Sequence, residues 1–497
     1  MLITIFKFQK FSRRNIESAG TARVFIFSKR CVIIRISNNS EEWEMNVIVA
    51  GCGKVGLTVA AGLVEEGHSV TLIDDDMQIL SESTNIYDAM GVCGNCTDCT
   101  VLQDAGVENA QLVIAATASD EMNMLCCYLA KKLGASHTIA RIRNPEYNTK
   151  SLDFLKQELD LSMSINPEML AAREMFNVLK VPSAVKVETF SEGNLEIIEV
   201  IINKDSPAEG KSLFELRNKL KATFLVCTVQ RGEQLIIPDG HFVLKEGDKI
   251  GLTAPISQVQ KLLKALGISK KKAKNIMILG GSRIAFYLTN MLIAAGNSVK
   301  LIERNRQKCT TLSQQLPKAV VINGDGAQQE LLLEEGLESL DAFVTLTGMD
   351  EENILIAMFA AAHDVPTVIP KINRDELVKM AAKLNLDRCI TPGKIVRDIV
   401  VQYARAIENS MGSNVETMYK LMDNQAEVLE FNVRKEFAYI DVPIKELKLK
   451  SHILIAGIIR KGKPIIPTGE DFIAKDDKVI IVVSGKRLND LSDIMAN

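Results

Sequence analysis

Residues 46–76, NVIVAGCGKVGLTVAAGLVEEGHSVTLIDDD, return at residues 275–305 as NIMILGGSRIAFYLTNMLIAAGNSVKLIERN. The register is unbroken, for Asn46 and Asn275, Gly51 and Gly280, and Asp74 and Glu303 each lie 229 positions apart. Each copy reads as an apolar strand, a Gly-rich turn, an amphipathic helix and a second strand that ends on a carboxylate. That order is the signature of a dinucleotide-binding βαβ unit.

In the first copy, Gly51-Cys52-Gly53-Lys54-Val55-Gly56 supplies all three glycines of the fingerprint. The first permits the tight turn, the second lets backbone N–H groups approach a pyrophosphate, and the third lets helix and strand pack closely. The phosphates then sit at the positive end of the helix. Asp74 closes the second strand, where it accepts from an adenosine ribose and disfavours a 2′-phosphate; Asp75 and Asp76 add to that bias. The second loop, Gly280-Gly281-Ser282-Arg283-Ile284-Ala285, puts Ser282 at the middle glycine and Ala285 at the third. Glu303 keeps the carboxylate, but Arg304, Arg306 and Lys308 follow it, so this site is expected to bind more weakly or to prefer a different adenine nucleotide.

Working outward, apolar runs and helical periods continue the alternation to five or six strands in each copy. Such alternation demands right-handed crossovers and a parallel sheet covered on both faces, and its strands are continuous apolar runs, as buried parallel strands are. The binding crevice then lies beyond the carboxyl ends of the strands. This places Gly94-Asn95, Thr117-Ala118, Arg141 and Arg143 at the first mouth, and Gly324-Asp325, Thr347-Gly348, Lys371 and Asn373 at the second. The arginines could meet a phosphate, a partner subunit or merely a surface carboxylate.

After each copy comes a smaller β-rich segment, with the hairpin cues IIPDG at 236–240 and IIPTG at 465–469. The expected organisation is an atypical extension at 1–44, a Rossmann-like domain at 45–180, a small α+β domain at 181–267, and the same pair again at 274–410 and 411–497. Val181-Pro182, the lysine run Lys270–Lys274 and Gly412-Ser413 mark the joints. Met45 stands directly before the first strand, so the basic leader reads as an upstream extension.

A formal net charge of −3 gives no support for nucleic-acid binding. Ten scattered cysteines fit reduced thiols of a cytoplasmic protein better than a disulfide framework. Cys93, Cys96 and Cys99 form a CxxCxxC run, but no fourth ligand accompanies them and the second copy lacks the cysteines, so incidental thiols are expected rather than a metal site.

With both loops, both carboxylates and both β-rich segments placed, residues 45–497 resemble the TrkA family, whose members carry two tandem RCK (KTN) domains. The resemblance implies a peripheral, cytoplasmic regulatory subunit on the inner face of the plasma membrane. It implies a homo-oligomeric ring, a dimer or tetramer, beneath an integral-membrane Trk potassium transporter gated by ligand exchange. It also implies NAD(H) in the first site and NAD(H) or ATP/ADP in the second. Carried over, the contacts fall on Gly51 to Val55, Asp74, Asn95 and Thr117, then on Gly281 to Ala285, Glu303 and Asp325; Asn95 stands where the family has Asp.

The competing class is an NAD-dependent oxidoreductase. It would need a general acid or base beside the nicotinamide. None of the five histidines (His68, His137, His241, His363, His452) reads as facing a crevice, and no large segment remains for a substrate domain. No catalytic or metal-ligating residue is therefore expected.

Overall fold

The computed structural model describes residues 22–27, 30–35 and 44–496, apart from 146, 148, 181–185, 191–193, 205, 221–222, 269–272, 411–414, 423–424, 434–436, 486–487 and 489. The joints at Val181-Pro182 and Gly412-Ser413, most of the lysine run and most of the leader lie outside the described residues. Within the leader, Ala22–Phe27 pairs antiparallel with Arg30–Arg35.

The chain forms two compact units, residues 1–166 and 167–497. The first contains a six-stranded parallel sheet in the order Met90–Cys93, Ser69–Asp74, Asn46–Ala50, Leu112–Ala115, His137–Arg141, Met163–Ile165. The reversal of order beside Asn46–Ala50 is the switch point at which such sheets bind ligands. Val47 to Ala50 and Leu112 to Ala115 are buried throughout, which is why these strands read as unbroken apolar runs. Val59, Ala60 and Leu63 of the helix Lys54–Glu65 pack on the sheet, as do Met124, Cys126, Cys127 and Ala130 of the helix Asp120–Lys132. Burial of each larger apolar side chain contributes about 1.5–3 kcal/mol. The Lys54–Glu65 helix stops where Gly67 takes a φ of +88° and donates to the Val64 carbonyl. Ser119 caps the Asp120–Lys132 helix by accepting from Met122 N–H at 3.2 Å. Asp120 and Glu121 in its first turn and Lys131 and Lys132 in its last complement its dipole.

The second unit holds a five-stranded parallel sheet in the order Val320–Asn323, Ser298–Glu303, Asn275–Leu279, Ala342–Thr345, Val368–Pro370. It also holds two five-stranded antiparallel sheets of matching order. One runs Lys186–Phe190, Leu195–Ile201, Lys249–Pro255, Leu225–Arg231, Gln234–Ile236, and the other Val415–Leu421, Ala426–Asn432, Lys478–Ser484, Ile453–Arg460, Lys463–Ile465. The two antiparallel domains share one core, in which Phe190, Leu195 and Ile197 pack with Met422, Val428 and Ala456. Glu199, buried, accepts from Met422 N–H at 2.8 Å and pairs with Lys249 at 2.9 Å, and Thr253 donates to the Ala456 carbonyl at 3.0 Å.

Two features differ from the expectation. The edge strands Lys186–Phe190 and Val415–Leu421 were not foreseen. The helix Pro167–Lys180, expected in the first Rossmann-like domain, lies in the second unit, where Ala171, Ala172, Met175 and Val178 pack with Ile284, Leu288 and Leu292. Its apolar stripe is completed by the helix Arg283–Ala294. Among the described residues, no helix is long and apolar enough to cross a membrane.

Candidate nucleotide-binding sites

In the first half, Gly51 turns at φ +99° and donates to the Ile73 carbonyl at 2.8 Å, bringing the loop over the end of the second strand. A Cβ there would stand 2.9 Å from Thr117 N, so side-chain-free backbone is required on two counts. Gly56 works differently: a Cβ would lie 1.9 Å from the Gly51 carbonyl oxygen, the close helix–strand approach assigned to the third glycine. Around Gly53 a Cβ would meet nothing within 4 Å, and Gly53 gives the helix Lys54–Glu65 no side-chain cap. The helix start is thus open toward the crevice.

Asp74 reaches back under this loop. One carboxylate oxygen accepts from Cys52 N–H at 2.6 Å and the other from Asp76 N–H at 3.0 Å. The carboxylate therefore fixes the loop from the end of the second strand. Burial pushes the Cys52 thiol up to about 12, helped by the charge of Asp74 and a hydrogen bond to it, so Cys52 is an inert neutral thiol. Asp76 caps the next helix, accepting from Gln78 and Ile79 N–H.

The second half repeats this arrangement with changes. Gly280 turns at φ +95° and donates to the Ile302 carbonyl at 2.8 Å. Glu303, buried, accepts from Gly281 N–H at 2.9 Å and Asn305 N–H at 2.8 Å, and Lys308 Nζ stands 3.5 Å away. Burial works against its charge, but the Asn305 and Gly281 N–H groups and Lys308 outweigh it and hold the carboxyl below its ordinary value. Ser282 caps its own helix, Arg283–Ala294, by accepting from Ala285 N–H at 3.3 Å. A donor left without a side-chain cap in the first loop is thus occupied in the second. Ile284 and Ala285 are buried on the inner side of that helix, while Arg283 is exposed.

The loops beyond the third strands close in the same way in both halves. Asn95 accepts from Thr97 N–H at 2.9 Å and Asp325 from Ala327 N–H at 3.1 Å. The amide and the carboxylate build the same Asx turn, so the exchange preserves backbone shape at this corner.

Beyond the fourth strands the structure brings together residues that the sequence reading passed over. Asn123, fully buried, accepts from Thr117 N–H at 2.8 Å and donates to the Arg141 carbonyl at 2.9 Å. Asn353 does the same for Thr347 N–H at 2.9 Å and the Lys371 carbonyl at 2.9 Å. Asp120 accepts from Arg143 N–H and Asn144 N–H, each at 2.8 Å, and Asp350 from Asn373 and Arg374 N–H. The signal was present, since Asp-Glu-Met-Asn at 120–123 recurs as Asp-Glu-Glu-Asn at 350–353. Arg143 is committed locally: its Nε lies 3.2 Å from Asp120 and its guanidinium donates to the Ala118 carbonyl. It buttresses the wall of the crevice rather than pointing a free cation into it. Lys371 donates to the Thr347 carbonyl at 2.7 Å, its counterpart on the second wall.

Cys96 is buried and hydrogen-bonded to Cys126, whereas Cys99 is exposed and Cys93 faces the Asp75 carbonyl. The three thiols do not converge. Among the described residues no group of three or more His, Cys, Asp or Glu could hold a metal ion.

Comparison with known proteins identifies the duplicated domains. The TrkA-N domain model matches residues 47–165 and 276–392, and the TrkA-C domain model residues 197–267 and 428–496. The chain belongs to the TrkA family. It is 29% identical over 451 residues to the Trk system potassium uptake protein TrkA homolog of Archaeoglobus fulgidus, covering 90% of this chain and 100% of that one. It is 29% identical over 446 residues to TrkA of Haemophilus influenzae, covering 89% and 96%. Among solved structures, the GsuK RCK domain aligns with TM-score 0.60 at 18% identity, covering 90% of this chain and 94% of that one. The GsuK channel bound to NAD aligns with TM-score 0.59, covering 90% and 78%. The tandem duplication of a parallel-sheet TrkA-N domain and an antiparallel TrkA-C domain is thereby shown.

Proposed function

We propose that this TrkA-family chain is a cytoplasmic, nucleotide-binding regulatory subunit that gates a membrane-embedded Trk-type potassium transporter. It binds NAD(H) in the first crevice and an adenine nucleotide in the second. It assembles as a homo-oligomer on the inner face of the membrane and performs no catalysis of its own.

The observation that carries this reading is the first loop. Its helix start is uncapped, its middle glycine is open, and its carboxylate is held against the loop by Cys52 N–H. Free backbone donors at a helix N-terminus are a ready anion site. Relatives that match nearly the whole chain carry names of potassium uptake proteins, and the GsuK fold neighbour is a channel bound to NAD. The contents of the crevice walls support a binding role, since their polar side chains are spent on holding backbone. A ligand acts on the assembly only by as much as it prefers one conformation; about a 100-fold preference, near 2.7 kcal/mol, moves a modestly poised equilibrium.

The test is titration with NAD+, NADH, ATP and ADP, together with potassium flux in vesicles that hold the reconstituted transporter. Asp74→Ala removes charge-assisted hydrogen bonds and is expected to weaken NAD(H) binding about 10- to 100-fold and to blunt nucleotide control of flux. Full affinity in that variant, or steady hydride turnover by the native chain, contradicts the proposal.

A further inference from the structure

The two crevices carry opposite charge where the adenosine ribose would lie. Asp74–Ile79 holds three carboxylates and no cation, whereas the matching segment Glu303–Lys308 holds one carboxylate and three cations, Arg304, Arg306 and Lys308. From this we infer that the second crevice takes an adenine dinucleotide bearing a 2′-phosphate on its ribose, the NADP(H) class. This inference rests on the proposed nucleotide-binding function and specifies its second ligand.

The position decides which phosphate is meant. In a βαβ unit the residue that ends the second strand meets the ribose 2′-hydroxyl, and an arginine close behind it accommodates a 2′-phosphate. Arg304 directly follows Glu303, and Arg306 opens the ten-residue helix Arg306–Gln315, so both stand at that corner. Both are exposed. The pyrophosphate would sit elsewhere, at the start of Arg283–Ala294, so these cations are not needed for it.

Glu303 is the obvious objection, because a carboxylate repels a phosphate. Its charge is already answered within the protein. Its oxygens accept from Gly281 N–H and Asn305 N–H, and Lys308 Nζ stands 3.5 Å from one of them. Asp74 is likewise tied to two N–H groups, at Cys52 and Asp76, but a further carboxylate, Asp75, stands exposed beside it where the second half has Arg304. Met77 takes the place of Arg306 and Ile79 that of Lys308. A 2′-phosphate therefore meets net negative charge in the first half and net positive charge in the second.

The experiment titrates the full-length protein with 2′,5′-ADP and with 5′-AMP, then NADPH against NADH, at low and physiological salt. The expected result is one 2′,5′-ADP site per chain that binds on the order of tenfold tighter than 5′-AMP. The preference should narrow as salt rises. Arg304→Ala with Arg306→Ala should erase the preference, and Arg306→Lys should restore part of it, with NADH binding in the first half as the folding control. Equal affinities for the two nucleotides, a preference that survives the double variant, or tight ATP binding without any response to a 2′-phosphate would overturn the inference while leaving the proposed function intact. A chain that binds no adenine nucleotide at either site refutes the proposed function itself.

Discussion

The two glycine-rich loops descend from one pattern and now differ at three points. The first leaves its helix start uncapped at Gly53; the second closes its own with Ser282. The first packs helix on strand with no room for a methyl at Gly56, whereas the second carries that methyl as Ala285. The carboxylate of the first stands among other carboxylates, and that of the second beside a lysine. What survives in both is the loop-to-carboxylate hydrogen bond, Cys52 N–H to Asp74 and Gly281 N–H to Glu303. The lesson is that the same backbone hydrogen bonding holds the scaffold of both crevices, while the side chains at the rim are where the two halves diverge.

The largest break in this comparison should come from Gly56→Ala. The added Cβ meets the backbone oxygen of Gly51, which cannot swing aside as a side chain could. Overpacking of this kind costs about 1–3 kcal/mol. Thermal melting should show the first Rossmann-like domain destabilised and NADH titration should show its site lost. The reverse change, Ala285→Gly, forces no backbone apart and should cost about 1–2 kcal/mol through helix propensity and the loss of one buried methyl, leaving the loop's shape intact. Equal effects of the two substitutions would mean that the loops are packed alike.

The comparison also shows what a sequence can carry. The alternation of apolar strands with helices and both loops were legible because each rests on a short-range pattern: buried parallel strands are unbroken apolar runs, and a tight turn needs glycine. The edge strands Lys186–Phe190 and Val415–Leu421 were not. Their sequences, KVETF and VETMYKL, mix charged with apolar residues as half-exposed edges do, so no apolar run announces them. The destination of the helix Pro167–Lys180 was hidden as well, since an apolar stripe states that a helix will be covered but not by what. Asp120 and Asn123 read as ordinary polar residues at a helix start. Only the fold reveals that they satisfy the backbone of the strand exits, as buried polar groups must be satisfied.

A smaller effect should come from exchanging the caps. Gly53→Ser would install in the first loop the hydroxyl that Ser282 supplies in the second, and it would meet no obstacle, because the space around Gly53 is open. The helix should gain a few tenths of a kcal/mol, and NADH affinity should fall because a donor needed by the pyrophosphate is engaged internally. Ser282→Gly should lose a similar amount of stability and raise nucleotide affinity in the second half. Calorimetric titration of both variants checks the signs, which must be opposite; a shared sign would show that the cap does not compete with ligand.

The smallest expected effect is a pH dependence peculiar to Glu303. In an unfolded chain a glutamate titrates near 4.3. In the folded second domain burial alone would raise that value, but Asn305 N–H, Gly281 N–H and Lys308 together hold it lower. A carboxyl depressed on folding contributes stability that is complete above the unfolded value and is lost as the pH falls through the folded one. Glu303→Gln keeps an oxygen to accept from one N–H but forfeits the charge that draws Lys308. Denaturant unfolding of the native and variant proteins should therefore differ most at neutral pH, with the gap closing below about pH 4.5. A gap that persists undiminished into acid would mean that Glu303 holds its loop by shape and hydrogen-bond geometry rather than by charge. The cation at Lys308 would then be free to answer the charge of a bound nucleotide instead.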